Sequence, residues 1–191
     1  MTISVEQAHL EVLQNEHALA LFQRIDEHRD DLREWLAWVD GHATLQDTLD
    51  FIRRSREQLE ARNGLSLGLW SDGHLAGVAG LHYIDWNDRM TSVGFWLAPP
   101  FRGRGLMTSA VFGLMALAFD EYGLVRLEGR AATGNLASRS LFERLGFQRE
   151  GTLRSAQRLP KGFVDHAVYS VLSSEWPSMR DLRPVSLDVA R

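Results

Sequence analysis

A change of hydrophobic period at residues 99–106 does most to limit what this chain can fold into. Upstream, "MTSVGFWLA" (90–98) is an apolar run of strand length. Downstream, from Leu106, the residues Met107, Ala110, Val111, Leu114, Met115 and Ala118 keep one helical face until Gly123. Pro99-Pro100 ends the first pattern, and "FRGRG" (101–105) leads into the second. A strand that feeds a helix through such a turn leaves several N–H groups at the helix start without an intrahelical partner, at the positive end of the macrodipole. Gly103 and Gly105 permit positive φ and let an oxygen-bearing ligand approach the backbone, while Arg102 and Arg104 add charge. The junction therefore suits an anion such as a pyrophosphate. An ordinary glycine turn with surface arginines has the same letters.

The remaining pattern orders the elements around that junction. "HLEVL" is a short strand candidate, and residues 16–62 read as helical, with Leu19, Phe22 and Ile25, then Leu32, Trp35, Leu36 and Val39, then Leu45, Leu49 and Ile52 at helix spacing. Asn63-Gly64 breaks this section, and "LSLGLW" and "LAGVAGLHYI" form a hairpin about Ser71-Asp72-Gly73. After the Leu106 helix come a strand, "LVRLEGRA", and a helix, "NLASRSLFERL", opened by Asn135 as an N-cap and ended by Gly146. Two strands follow, "FQREGTLR" and "FVDHAVYSVL". Helices, a β-meander and then β-α-β-α-β-β predict an α/β fold. With 191 residues, 45% of them hydrophobic, one domain over 1–176 can bury a full core, and 177–191 reads as a polar C-terminal extension.

Several function classes are excluded. No stretch approaches the roughly 18 uninterrupted apolar residues of a membrane helix, and "MTISVEQAHLEV" lacks the basic and apolar regions of a signal peptide, so a cytoplasmic, soluble protein with no membrane partner is expected. The absence of cysteine removes thiolate metal sites and any acyl-cysteine intermediate. Neither a P-loop nor a dinucleotide G-x-G-x-x-G is present, and seven histidines without metal-ligand spacing predict no metal. Residues 1–100 hold 8 Arg/Lys against 16 Asp/Glu, whereas 101–161 hold 10 against 5. The basic segment suits a polyanionic small ligand; the acidic one argues against a nucleic-acid groove and favours a cationic co-substrate.

"FRGRGLMTSA" together with "NLASRSLFERLGFQREGTLR" resembles the GCN5-related N-acetyltransferase (GNAT) superfamily, in its branch of ribosomal-protein N-terminal acetyltransferase-like (RimJ/RimL-type) enzymes. The first stretch is similar to that superfamily's acetyl-CoA signature: Gln or Arg, two residues, Gly, one residue, then Gly or Ala. Arg102 and Gly105 are in place, and Met107 stands at the last position. The resemblance implies a mixed sheet whose fourth and fifth strands splay apart around the pantetheine arm of acetyl-CoA. Phe95, Trp96 and Leu97 would then lend backbone groups from the fourth strand, and the amides of Gly103, Arg104, Gly105, Leu106, Met107 and Thr108 would hold the pyrophosphate. Asn135 matches the asparagine that bonds the pantetheine arm. Many members carry a tyrosine seven residues later to protonate the thiolate; Phe142 stands there, and the resemblance offers Ser138 as the substitute acid.

The implied reaction is direct transfer of acetyl to a primary amine, foremost the N-terminal α-amine of a ribosomal or other protein or a peptide. A small amine (aminoacyl-nucleotide, antibiotic or polyamine) and a non-catalytic acyl-CoA-binding module are the alternatives, and a monomer or a homodimer fits each. No base is assigned: His82, Asp85, Asp88, Glu34 and the Asp165-His166 pair are candidates. Where some relatives place a glutamate, five residues before the asparagine, this chain has Arg130, with Glu128 two residues off. Trp35 and Trp38 read as core or groove wall, and Trp86, among polar neighbours, as an acceptor contact.

Overall fold

The computed structural model describes residues 1–5, 8–182 and 185–188. Nine strands form one sheet: β1 (Thr2–Val5), β2 (Ala8–Val12), β3 (Leu65–Ser71), β4 (His74–Leu81), β5 (Met90–Leu97), β6 (Arg126–Ala132), β7 (Gln148–Leu159), β8 (Gly162–Leu172) and β9 (Val185–Asp188). Their spatial order is β7-β8-β6-β5-β4-β3-β2-β1-β9. Every pairing among these strands is antiparallel except β5 with β6, which is parallel and so needs a crossover; the helix that opens at the glycine loop supplies it. Among the described residues, five α-helices accompany the sheet: α1 (Ala18–Glu27), α2 (Arg29–Arg33), α3 (Leu45–Glu60), α4 (Leu106–Ala116) and α5 (Leu136–Arg144).

The β5–β6 ladder runs from Met90 opposite Arg126 to Val93 opposite Gly129 and stops. Beyond that point β5 stays paired with β4 as far as Leu97, and β6 with β8 as far as Ala132. The sheet therefore opens into a V, as the resemblance implied, but between the fifth and sixth strands. The count differs because Thr2–Val5 adds a strand that a four-residue pattern does not announce. Part of the segment read as a polar extension also lies in the sheet: Val185–Asp188 pairs with β1, with Val185 and Leu187 packed against the core.

Alternation along β5 separates two faces of the opening. The Phe95 ring packs on Phe142 of α5 at 5.6 Å, whereas the next residue, Trp96, faces Trp38 at 6.5 Å in the 3-10 turn Ala37–Gly41. One face thus looks to α5 and the other to the helical front section. All eleven residues of α4 are buried, although the sequence pattern showed one apolar face. Trp176 covers part of this segment, with its ring 5.1 Å from Phe112 and 5.8 Å from Phe119.

The cleft histidines and the Arg126–Glu150 pair predict a two-stage loss of stability in acid. Burial pushes His42, His82 and His166 below the ordinary imidazole value of 6.5. The unfolded chain then binds more protons than the native one below about pH 6.5, so stability falls as pH falls through that region. Hydrogen bonds from Arg126 and Ser170 hold Glu150 down to about 2. Its contribution is full above its ordinary carboxylate range and is lost as pH drops toward 2. Urea midpoints at about pH 7.5, 5.5 and 3.5 are expected to fall at each step; a midpoint flat from 7.5 to 5.5 excludes the histidine stage.

Candidate active site

Gly105 is the N-cap of α4 with φ 76°, and Gly103 has φ 75°. A Cβ built at either position meets no atom within 4 Å, so these glycines serve the left-handed backbone, and the space above them is open to a ligand. The first helical bond runs from the Ser109 N–H to the Gly105 carbonyl at 3.0 Å, which leaves the amides of Leu106, Met107 and Thr108 without an i−4 partner. All three residues are buried, so their side chains are packed into the core.

The two arginines of the loop are already engaged. The Arg102 guanidinium donates to both carboxylate oxygens of Asp31, with Nη1 at 3.0 Å from Oδ1, and its Nε donates to the Leu97 carbonyl at 3.2 Å. Arg104 donates to Asp72 at 2.7 Å and to the Ser71 hydroxyl at 3.2 Å. They brace the loop against α2 and the β3–β4 turn.

The opening of the V continues into a cleft of about 1400 Å³. Phe95, Trp96, Asn135 and Ser138 meet in it; Leu97 and residues 102–108 are not part of its lining. The Asn135 Oδ1 accepts the Ser138 N–H at 3.1 Å, which establishes the capping role. Among the described residues, no hydrogen bond engages the Asn135 amide nitrogen or the Ser138 hydroxyl, so both remain for a ligand. Phe142 is core: it is 1% exposed, stacks on Tyr169 at 5.4 Å and fills the space left by Gly129.

On the opposite face, the His82 ring lies over the backbone of Gly94. Its Nδ1 is 2.9 Å from the Ser92 hydroxyl, and a Cβ at Gly94 would fall 2.3 Å from its Nε2. Its depressed pKa keeps it neutral at pH 7. A glycine inside a strand pattern marks close approach, so Gly94 was a signal that the letters carried and the sequence reading left unused.

The other base candidates are held elsewhere. Asp85 accepts the N–H groups of Asn87 and Asp88 in a turn, Glu34 pairs with Lys161 at 2.6 Å, and Asp165 accepts the Ser155 N–H at 2.8 Å. His166 does line the cleft, 2.9 Å from Gln157 Oε1. Arg130 lines it too, bonded to Glu128 at 3.1 Å. Trp35 and Trp38 form part of the wall. Trp86 does not: its indole N–H donates to the Arg62 carbonyl at 2.7 Å and its ring packs on Tyr122, so its role is to hold a turn.

The charge of the cleft also corrects an expectation. Its charged lining is Arg54, Arg130, Arg154 and Asp47, which does not favour a cationic co-substrate. Asp47 is turned into its own helix cap, accepting from the Thr44 N–H, the Thr44 hydroxyl and the Ala43 N–H. The acidic residues of the front section are largely spent on arginines outside the cleft, as in Asp26–Arg29, Asp40–Arg33 and Asp31–Arg102. Among the described residues, no group of three or more His, Asp or Glu side chains is placed to hold a metal ion.

A family model described as "Acetyltransferase (GNAT) domain" matches residues 8–148. YdaF of Bacillus subtilis (strain 168), named as a ribosomal N-acetyltransferase, is 34% identical over 170 residues, which covers 87% of this chain and 92% of the relative. The crystal structure of an acetyltransferase, 32% identical, superposes with a TM-score of 0.85 over 90% of this chain and 96% of its own. RimL, a ribosomal L7/L12 α-N-protein acetyltransferase solved with coenzyme A, reaches a TM-score of 0.87 at 21% identity, covering 90% and 98% of the two chains.

Proposed function

The chain belongs to the GNAT acetyltransferase family and is an acetyl-CoA-dependent N-acetyltransferase; from that premise we propose that it acetylates the N-terminal α-amine of a protein or peptide, a ribosomal protein foremost, by direct attack in a ternary complex. The observation that carries this reading is the V between β5 and β6, which joins the α5 face to the arginine-bearing face across one sheet. Family membership sets aside the reading as a non-catalytic module. The name of YdaF supports the ribosomal acceptor, and a cytoplasmic location goes with this reading.

The residues present fit the donor. The open space over Gly103 and Gly105 and the unpaired amides of Leu106, Met107 and Thr108 suit its pyrophosphate. The amide nitrogen of Asn135 suits the pantetheine arm, and the β5 backbone beyond the end of its ladder with β6 suits the thioester carbonyl. Acetyl-CoA supplies an activated acyl group and a thiolate leaving group. The chain's own residues then have three tasks. β5 amides orient the carbonyl and stabilise the oxyanion, His82 Nε2 accepts the proton that the amine loses, and the Ser138 hydroxyl donates to the departing sulfur. A weak, neutral imidazole suffices because an α-amine titrates at roughly 7.7–8.0, so a useful fraction is already unprotonated at neutral pH.

The test is mass spectrometry of a lysate incubated with the protein and isotopically labelled acetyl-CoA, with thiol release followed in parallel. Label on the N-terminal residue of one or a few proteins is expected. Label confined to small amines overturns the proposed acceptor.

A further inference from the structure

Resting on the reading of a peptide acceptor, we infer that the acceptor is an acidic N-terminal segment, with aspartate or glutamate side chains within the first few residues after the reacting amine. The acceptor face carries arginines from three separate elements: Arg54 on α3, Arg130 on β6 and Arg154 on β7. Arg54 and Arg154 make no hydrogen bond or ion pair among the described residues, whereas Arg102, Arg104 and Arg126 are each bonded to carboxylates. The only carboxylate of the lining, Asp47, is committed to its helix cap. The field of these arginines is felt by the cleft's histidines: after burial, Arg130 helps to depress His166, and Arg54 adds to Arg29 in depressing His42 against the opposing pull of Asp47.

The placement of the arginines favours a peptide over a single phosphate. α3 packs over β3, and β7 stands five strands away in the sheet, so Arg54 and Arg154 belong to opposite walls of the cleft. A phosphate is best held by donors that converge on one point; arginines on facing walls match carboxylates distributed along an extended chain. The tip of the β7–β8 hairpin reaches the helical front section, where Lys161 pairs with Glu34 just after α2. A chain end can thus be guided between the two walls, with Trp35, Trp38 and Phe51 as apolar wall.

The experiment measures steady-state thiol release with three sets of serine-initiated pentapeptides bearing acidic (Asp/Glu), isosteric neutral (Asn/Gln) or basic (Lys) residues at positions two to four, and with phosphoethanolamine as a phosphate-bearing small amine. KM is expected to rise from acidic to neutral to basic, by roughly tenfold at the first step, with kcat changed far less; added salt should narrow the gap. In Arg54→Gln and Arg154→Gln the ratio of neutral to acidic KM is expected to shrink severalfold, and in the double variant to approach one. Peptide turnover with equal KM for acidic and neutral peptides overturns this inference and leaves the peptide-acceptor reading standing. Preferential turnover of phosphoethanolamine assigns the arginines to phosphate and overturns it too. Thiol release with no peptide at all overturns the peptide reading and this inference with it.

Discussion

Gly105→Val is expected to raise the dissociation constant for acetyl-CoA by about 100-fold or more while the protein stays folded. The left-handed φ of 76° at this N-cap is strained for a β-branched residue, by roughly 1–3 kcal/mol, and the loop relieves that strain by turning its peptides. Nothing within 4 Å opposes a side chain at the position, so a loss of binding reports the backbone conformation and occupied ligand space rather than damage to the core. A hydrogen bond to a charged partner contributes about 1.5–3 kcal/mol, and misdirecting two amides removes roughly 3–6 kcal/mol, which sets the fold-change. Gly105→Asn, which tolerates this conformation better, should retain more affinity than Gly105→Val. Arg102→Gln and Arg104→Gln should cost less than the glycine change, because Asp31 and Asp72 already take up those charges. Calorimetric titration with acetyl-CoA decides the matter: wild-type affinity in Gly105→Val overturns the main-chain cradle.

The contrast between glycine and arginine also marks what the letters reveal. A glycine that must adopt positive φ between a strand and a helix announces itself through local pattern, and so does an N-cap such as Asn135, because both answer to neighbours within a few positions. An ion pair such as Arg102–Asp31, 71 residues apart in sequence, does not. Counting charges by segment therefore pointed to a cationic co-substrate, whereas pairing across space takes up acidic residues of the front section and leaves Arg54 and Arg154 uncompensated. The same limit applies to His82, which stood level with Asp85, Glu34 and His166 as a base. Only the approach of its ring to Gly94 separates it from them. β1 and β9 were missed for a different reason: four residues are too few for alternation to stand out, and both become intelligible only through pairing, with β1 lying between β2 and β9. Trp86 was misjudged because a large ring in a polar turn looks unexplained until the Arg62 carbonyl and Tyr122 are seen beside it.

Ser138→Ala is expected to lower kcat by about 100-fold at pH 7 with KM for acetyl-CoA within about threefold. Proton donation by a positioned group contributes about 10²–10⁴-fold, and the low end applies because an unperturbed thiol titrates at about 8.5, so the leaving group is only moderately basic. The Ser138 amide is fixed by the Asn135 cap, a contact the alanine variant keeps, while the hydroxyl, which makes no protein hydrogen bond among the described residues, is the group removed. The deficit should be the same at pH 7 and about pH 9, because the serine hydroxyl remains a donor across that range. Restoring the tyrosine of other family members by Phe142→Tyr should not compensate. Phe142 lies among Phe95, Phe147 and Tyr169 with its ring over Gly129, so an added hydroxyl is buried in apolar surroundings at a cost of about 1–3 kcal/mol. Combined with Ser138→Ala, it should lower stability and leave kcat at the level of the single variant. Wild-type turnover by Ser138→Ala at pH 7 would mean that the sulfur leaves without help from this hydroxyl, and recovery of turnover by Phe142→Tyr would mean that the ring can swing from the core into the cleft.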